Sequence, residues 1–219
     1  MRRLFCTLVL STLLAACATR PVPPGPVSDD SHQNWQQRQQ QLARIDHWSI
    51  RGRVALYVDN EVYNLGLGWL RQQDTSIITL EAALGQGMIQ IRKNGQGVEL
   101  TTTEGERYTG DNAEQVLWQS TGWSIPVEGL QSWILGINHA DSDYLPDIDE
   151  QGRAASLRQD HWQINYLEYA ESALSSFNNP VLPRMLYMKR QNLALKIVID
   201  QWQPLPSQVD SELFPSFPD

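Results

Sequence analysis

The stretch Trp48 to Trp69, WSIRGRVALYVDNEVYNLGLGW, decides the fold. Trp48, Ile50, Gly52, Val54, Leu56 and Val58 alternate with Ser49, Arg51, Arg53, Ala55 and Tyr57, the period of two that marks a strand with one apolar and one wet face. Asp59-Asn60 then forms a short turn, and Tyr63, Leu65, Leu67 and Trp69 resume the alternation with Gly66 and Gly68 facing the other way. So short a turn makes the two strands antiparallel neighbours.

Working outward, strand-like runs recur at Ser76 to Glu81, Met88 to Arg92, Val98 to Thr102, Leu157 to Gln159, Trp162 to Tyr169, Met185 to Lys189 and Leu193 to Asp200. Asn94-Gly95 and Glu104-Gly105 supply turns between some of them. Upstream, Trp35, Leu42 and Ile45 share one side of a Gln- and Arg-rich run long enough for a helix of about three turns that should lie on the sheet. Two more helices are expected. One has Asp111 as N-cap, Glu114 three residues on, Val116 and Leu117 inward and its end near Gly122, and the other spans Glu128 to Leu135. Alternating strands with few helices place the chain in the mainly β, α+β class: a single curved antiparallel sheet, closed or nearly so, with helices over its mouth or inside.

At the amino end, Arg2 and Arg3 precede an apolar run of about 11 residues, too short for a span that needs roughly 20, and the run ends at Leu14-Ala15-Ala16-Cys17. That order resembles the lipobox of bacterial lipoproteins, in which the cysteine is lipidated and the preceding signal removed. Residues 1–16 are read as signal, with Cys17 as the lipidation site. Its removal leaves 203 of the 219 residues and moves the net charge from −8 to −10, because both arginines leave with it. An acidic exported chain is a poor partner for nucleic acid. Cys6 goes with the signal and Cys17 is alkylated, so no thiol remains for a disulfide and stability must come from a packed core. Residues 17–33, with Pro21, Pro23, Pro24 and Pro26, read as a tether reaching up to roughly 50 Å. Residues 34–202 form the barrel domain, and 203–219, with Pro204, Pro206, Pro215 and Pro218, a proline-rich tail.

Enzyme constellations are missing. His32, His47, His139 and His161 show no metal-type spacing, and neither a Gly-x-Ser-x-Gly elbow nor a phosphate-cradling glycine loop occurs. Asp141, Asp143, Asp147, Asp149 and Glu150 lack calcium-loop spacing and read as a solvated acidic loop. Arg51 and Arg53 mark the wet face of their strand. The sequence thus points to no cofactor, no metal and no catalytic residue.

The order of lipobox, tether, Trp35 helix, Arg51-Gly52-Arg53-Val54 strand and Gly68-Trp69 strand resembles the LolB family of outer-membrane lipoprotein receptors. Further matching segments are Ala83-Leu84-Gly85, Gly105-Glu106-Arg107-Tyr108, Ile125-Pro126, Leu130 to Gly136 and Trp162 to Tyr166, so the likeness covers roughly residues 35–202. The resemblance implies a half-open barrel with a helical lid over an apolar cavity. It also implies a monomer anchored in the outer membrane and facing the periplasm, which takes acylated lipoprotein cargo from the carrier LolA and inserts it among outer-membrane lipids. Ala18 after Cys17, in place of the aspartate associated with inner-membrane retention, agrees with that location. Val54, Leu56, Leu67, Trp69, Ile89, Ile91 and Ile197, with Trp133 from a lid helix, are the candidate cavity residues. Two features depart from the family pattern: Ala83 stands where a proline is usual, and the tail extends past the usual end after Trp202.

Leu84 lies in a short loop between Ala83 and Gly85, with no apolar partner at sheet spacing. The resemblance makes it the group that enters the bilayer during release. A membrane-anchored lipid-binding lipoprotein or a structural lipoprotein with a filled core is the alternative reading, since a curved sheet serves either.

Overall fold

The computed structural model describes residues 29–83, 87–140 and 142–205. Along them run α1 (Asp29–Leu42), β1 (His47–Val58), β2 (Glu61–Gln72), β3 (Thr75–Ala82), β4 (Met88–Asn94), β5 (Gly97–Thr102) and β6 (Arg107–Gly110). There follow α2 (Ala113–Thr121), α3 (Val127–Trp133), β7 (Tyr144–Ile148), β8 (Ala154–Gln159), β9 (Trp162–Glu171), β10 (Val181–Arg190) and β11 (Leu193–Pro204).

All eleven strands join one antiparallel sheet in the order β6-β5-β4-β3-β2-β1-β11-β10-β9-β8-β7. The chain starts in the middle, meanders out to β6, crosses to the far edge at β7 and returns until β11 pairs with β1. Since β6 and β7 are the two edges, the intervening segment with α2 and α3 has to cross a face of the sheet, and that crossing is the lid. The edges do not pair with each other, so the barrel stays half open.

The alternation read in β1 and β2 fixes the register: Val54 faces Leu65 and Ile197, and Ile50 faces Trp69 and Trp202. Asp59 takes the turn at a left-handed φ of 51°, which aspartate tolerates. Gly52 has a packing reason. The β1–β11 register shifts at this residue, and a Cβ would stand 2.2 Å from the Val198 carbonyl oxygen. One end of the sheet is plugged by fully buried Trp48, edge-on to Trp69 and Trp202 at ring separations of 5.4 Å each.

Several expectations need correction. α1 begins at Asp29, inside the stretch read as tether, because its first turns are acidic and polar and carry no apolar stripe to reveal them. Asn112 rather than Asp111 caps α2, its Oδ1 accepting from Gln115 N at 2.9 Å, while Gly122 ends the helix at φ 76° as expected. β6 and β7 are strands beyond those expected: β6 is four residues long, and β7 contains Pro146, which an edge strand accepts because one side needs no backbone donor. The acidic stretch is therefore not all solvated loop. Asp147 lies in β7, and Asp149 closes the β7–β8 turn by accepting from Gln151 N and Arg153 N and pairing with Arg153 Nε at 2.7 Å. β10 starts at Val181, before the Met185 expected, because a bulge between Pro183 and Met185 absorbs the proline. β11 runs on to Pro204, past Asp200, where the strand-like run was expected to end.

Candidate functional site

A cavity lies between the sheet and the lid. From the sheet, Val54 and Leu56 (β1), Leu65, Leu67 and Trp69 (β2), Ile78 and Leu80 (β3), Ile91 (β4) and Leu195 and Ile197 (β11) face into it. From the lid come Leu117 of α2, Trp123 and Ile125 of the connecting loop, and Val127 and Leu130 of α3. Its accessible wall is entirely apolar, and its free volume is about 50 Å³. The wall is the direct product of period-two patterning, since the register pairs Val54 with Leu65, Leu67 with Leu80 and Trp69 with Ile78 in rows across the sheet. Trp69 closes one end, its Nε1 donating to buried Ser76 Oγ at 2.7 Å. Beyond Leu65, Tyr63 leans on Trp123 of the lid at a ring separation of 5.4 Å. Val62, beside it, is 52% exposed and Trp118 on α2 58% exposed.

Polar contacts hold the lid at three places. Arg190, at the end of β10, donates through Nη2 to Glu114 Oε1 (2.9 Å), Ser124 O (2.6 Å) and Ser124 Oγ (2.8 Å), and its guanidinium carbon sits 4.8 Å from the centre of the Trp162 ring. Ser124 Oγ also donates to Glu114. Lys93 of β4 pairs with Glu128 of α3 at 2.7 Å. At the far end of α3, buried Gln159 accepts from Trp133 Nε1 (2.9 Å) and His139 N (2.8 Å) and donates to His139 O, Ser142 O and Ser142 Oγ.

A family model described as outer membrane lipoprotein LolB matches residues 46–202. The chain belongs to the LolB family. Among its relatives, the outer-membrane lipoprotein LolB of Nitrosococcus oceani is 34% identical over 90% of this chain and 96% of its own length. That of Pseudomonas putida is 32% identical over 90% and 94%. Among solved structures, a LolA superfamily protein from Nitrosomonas europaea superposes at TM-score 0.55 with 11% identity, covering 83% of this chain and 97% of its own. A DUF1329 family protein from Desulfovibrio piger gives TM-score 0.54 with 8% identity, covering 86% and 98%. These two likenesses concern the fold alone. Members of the LolB family are outer-membrane lipoproteins, and this chain is one of them. No described helix is long and apolar enough to cross a membrane.

Within this LolB fold, Val54, Leu56, Leu67, Trp69, Ile91 and Ile197 stand in the cavity wall. Two other candidates do not. Ile89, the register partner of Leu80, is half-buried at the flank, and the wall reaches β4 only at Ile91. Trp133 is fully buried on the other side of α3, bonded to Gln159 and 6.2 Å from the Trp162 ring, where it fixes the lid's far end. Cys17, Leu84, Asp141 and the tail from 206 lie outside the described residues.

Leu65, Ile78, Leu80 and Leu195 were within reach of sequence reasoning, because each shares the inward phase of its strand. Trp123 and Ile125 were not, since they sit in an irregular loop between helices, where no period assigns a face. Among the described residues, no group of three or more metal-binding side chains comes together. Charged groups stay off the cavity wall. The buried Tyr166 and half-buried Tyr169 belong to the half of the sheet near Arg38 of α1, where burial pushes both hydroxyls above the ordinary tyrosine value.

Proposed function

We propose that this chain accepts acylated lipoproteins from the periplasmic carrier LolA, holds their acyl chains beneath the α2–α3 lid and passes them to the outer membrane. The observation that carries the reading is the entirely apolar wall shared by sheet and lid. Each methylene kept from water is worth about 0.8 kcal/mol, so a triacylated protein needs such a shelter at every stage of its passage. Transfer then needs no nucleotide. It requires only that acyl chains prefer this cavity to the carrier's, and the bilayer to both.

The free volume of about 50 Å³ is far below the roughly 300–1,000 Å³ of ordinary ligand pockets, so on this reading the described form is the shut one and the lid rises to admit cargo. Lipidation at Cys17 would keep the domain within reach of the membrane, and Leu84 would lead the acyl chains into it.

The same small volume favours the alternative, a structural lipoprotein with a packed interior. Transfer decides between them. LolA loaded with a labelled lipoprotein is mixed with this chain, and the protein holding the label is identified by pull-down. Label on this chain supports the receptor, whereas label retained by the carrier removes it.

A further inference from the structure

The loop between α2 and α3 lies over the cavity, with Trp123 and Ile125 in the wall and Ser124 between them bonded to Arg190 of β10. Ser124 is where the sheet grips the lid. Arg190 Nη2 reaches both the backbone carbonyl and the hydroxyl of Ser124 together with the Glu114 carboxylate of α2, so one guanidinium holds the helix and the loop at once. The ring of Trp162 beneath it keeps Arg190 with the sheet rather than with the lid.

We propose that Arg190 is the latch of the lid: release of Ser124 and Glu114 from Arg190 is the event that opens the cavity, and their recapture shuts it. The proposal rests on the acyl-cavity reading for its purpose but not for its geometry. A latch at this point acts on the loop that carries two wall residues, whereas the Gln159 cluster anchors the opposite end of α3 and serves as the hinge side. Arg190 and Glu114 are part-exposed, at 22% and 29%, so each regains water readily once they separate. The contact is therefore reversible, and the burial of an acyl chain can outweigh it. Arginine suits the position because its fork addresses several acceptors in fixed directions, whereas a lysine ammonium is a single point charge. Arg190 is accordingly a positioning residue that acts through the lid and touches no cargo.

Thiol accessibility tests the latch on the full lipidated chain in liposomes. Ile125→Cys places a thiol on the inner side of the loop, and its maleimide labelling rate is compared with Arg190 intact and in Arg190→Gln. The latch predicts labelling about tenfold faster or more, the effect of a shift near 1.4 kcal/mol in the open–shut equilibrium. Arg190→Lys should restore part of the slow rate. Leu157→Cys, in the fully buried sheet core, should label equally slowly in both backgrounds. An unchanged rate at position 125, or equal acceleration at 157, overturns the proposal. If Arg190→Gln fails to fold, Ser124→Ala with Glu114→Ala removes two of the three acceptors from the lid side, and hydrogen exchange must then quicken across 113–133 without quickening in β8–β11. Cargo transfer separates the two readings. Faster labelling with no transfer in parent or variant leaves the latch and removes the receptor, while normal transfer with unchanged labelling does the reverse.

Discussion

Replacing Gln159 by leucine measures how firmly the lid is tied to the sheet at its far end. Gln159 is 3% exposed and satisfies five polar atoms: it accepts from Trp133 Nε1 and His139 N, and donates to His139 O, Ser142 O and Ser142 Oγ. Leucine fills nearly the same volume, so packing is kept and the polar partners are what is lost. The Trp133 indole is fully buried and cannot turn to water, and the Ser142 carbonyl loses a donor in a part-buried site. Each stranded group costs about 1–3 kcal/mol, which puts the variant about 4 kcal/mol below the parent. At about 2–4 °C per kcal/mol for a domain of this size, Tm should fall by roughly 8–16 °C. Thermal and urea unfolding followed by tryptophan fluorescence would read the loss. Trp133→Phe should cost far less in the Gln159→Leu background than in the parent, because the donor it removes is already orphaned there. A Tm within about 2 °C of the parent, or full additivity of the pair, would refute the assignment of Gln159 as the lid's anchor.

Other expectations follow from the same geometry. Gly52→Ala should destabilise by about 3 kcal/mol, since its Cβ meets the Val198 carbonyl at 2.2 Å, whereas Gly66→Ala, with its nearest neighbour at 3.8 Å, should change stability little; equal Tm values for the two variants would contradict this. Leu84→Glu should receive cargo normally yet fail to deposit it, because a carboxylate resists hydrocarbon, and delivery to liposomes at the parental rate would end that idea. Alkaline pH should unfold the protein. Unfolded tyrosines ionise near pH 10, but burial holds Tyr166 and Tyr169 above that value in the fold, so stability is unaffected below about pH 10 and declines as pH rises beyond it. Phenolate absorbance should then show Tyr166 and Tyr169 titrating only with unfolding; their titration near pH 10 in the intact fold would contradict the burial argument.

Legibility varied with the kind of order involved. Strand phase was readable wherever apolar residues alternated for five residues or more, so the inward set Val54, Leu56, Leu67, Trp69, Ile91 and Ile197 could be named in advance. It failed where little of the strand is buried or the run is short, as in β6 and in β7 with Pro146. Trp133 shows a different limit: an inward residue of a lid helix can face either the cavity or the neighbouring strands, and its indole donor chose Gln159. Ile89 has the right phase in β4 but sits at the flank of a curved sheet, and curvature leaves no mark on phase.

The amino-acid sequence alone determined the period-two strands, the two-residue hairpin at Asp59-Asn60, the cap and stop of α2 to within one residue, and through its ordered segments the LolB family. These are local or cumulative properties, set by side-chain alternation and turn chemistry. Tertiary structure alone decided that β11 closes onto β1, that β6 and β7 end as separate edges and that the lid is the segment forced to cross between them. It also decided that Arg190, Ser124 and Glu114 meet, although they lie 66 and 76 residues apart along the chain. A polar contact of that range depends on strand order and sheet curvature together, and neither is encoded in the pattern of any single segment.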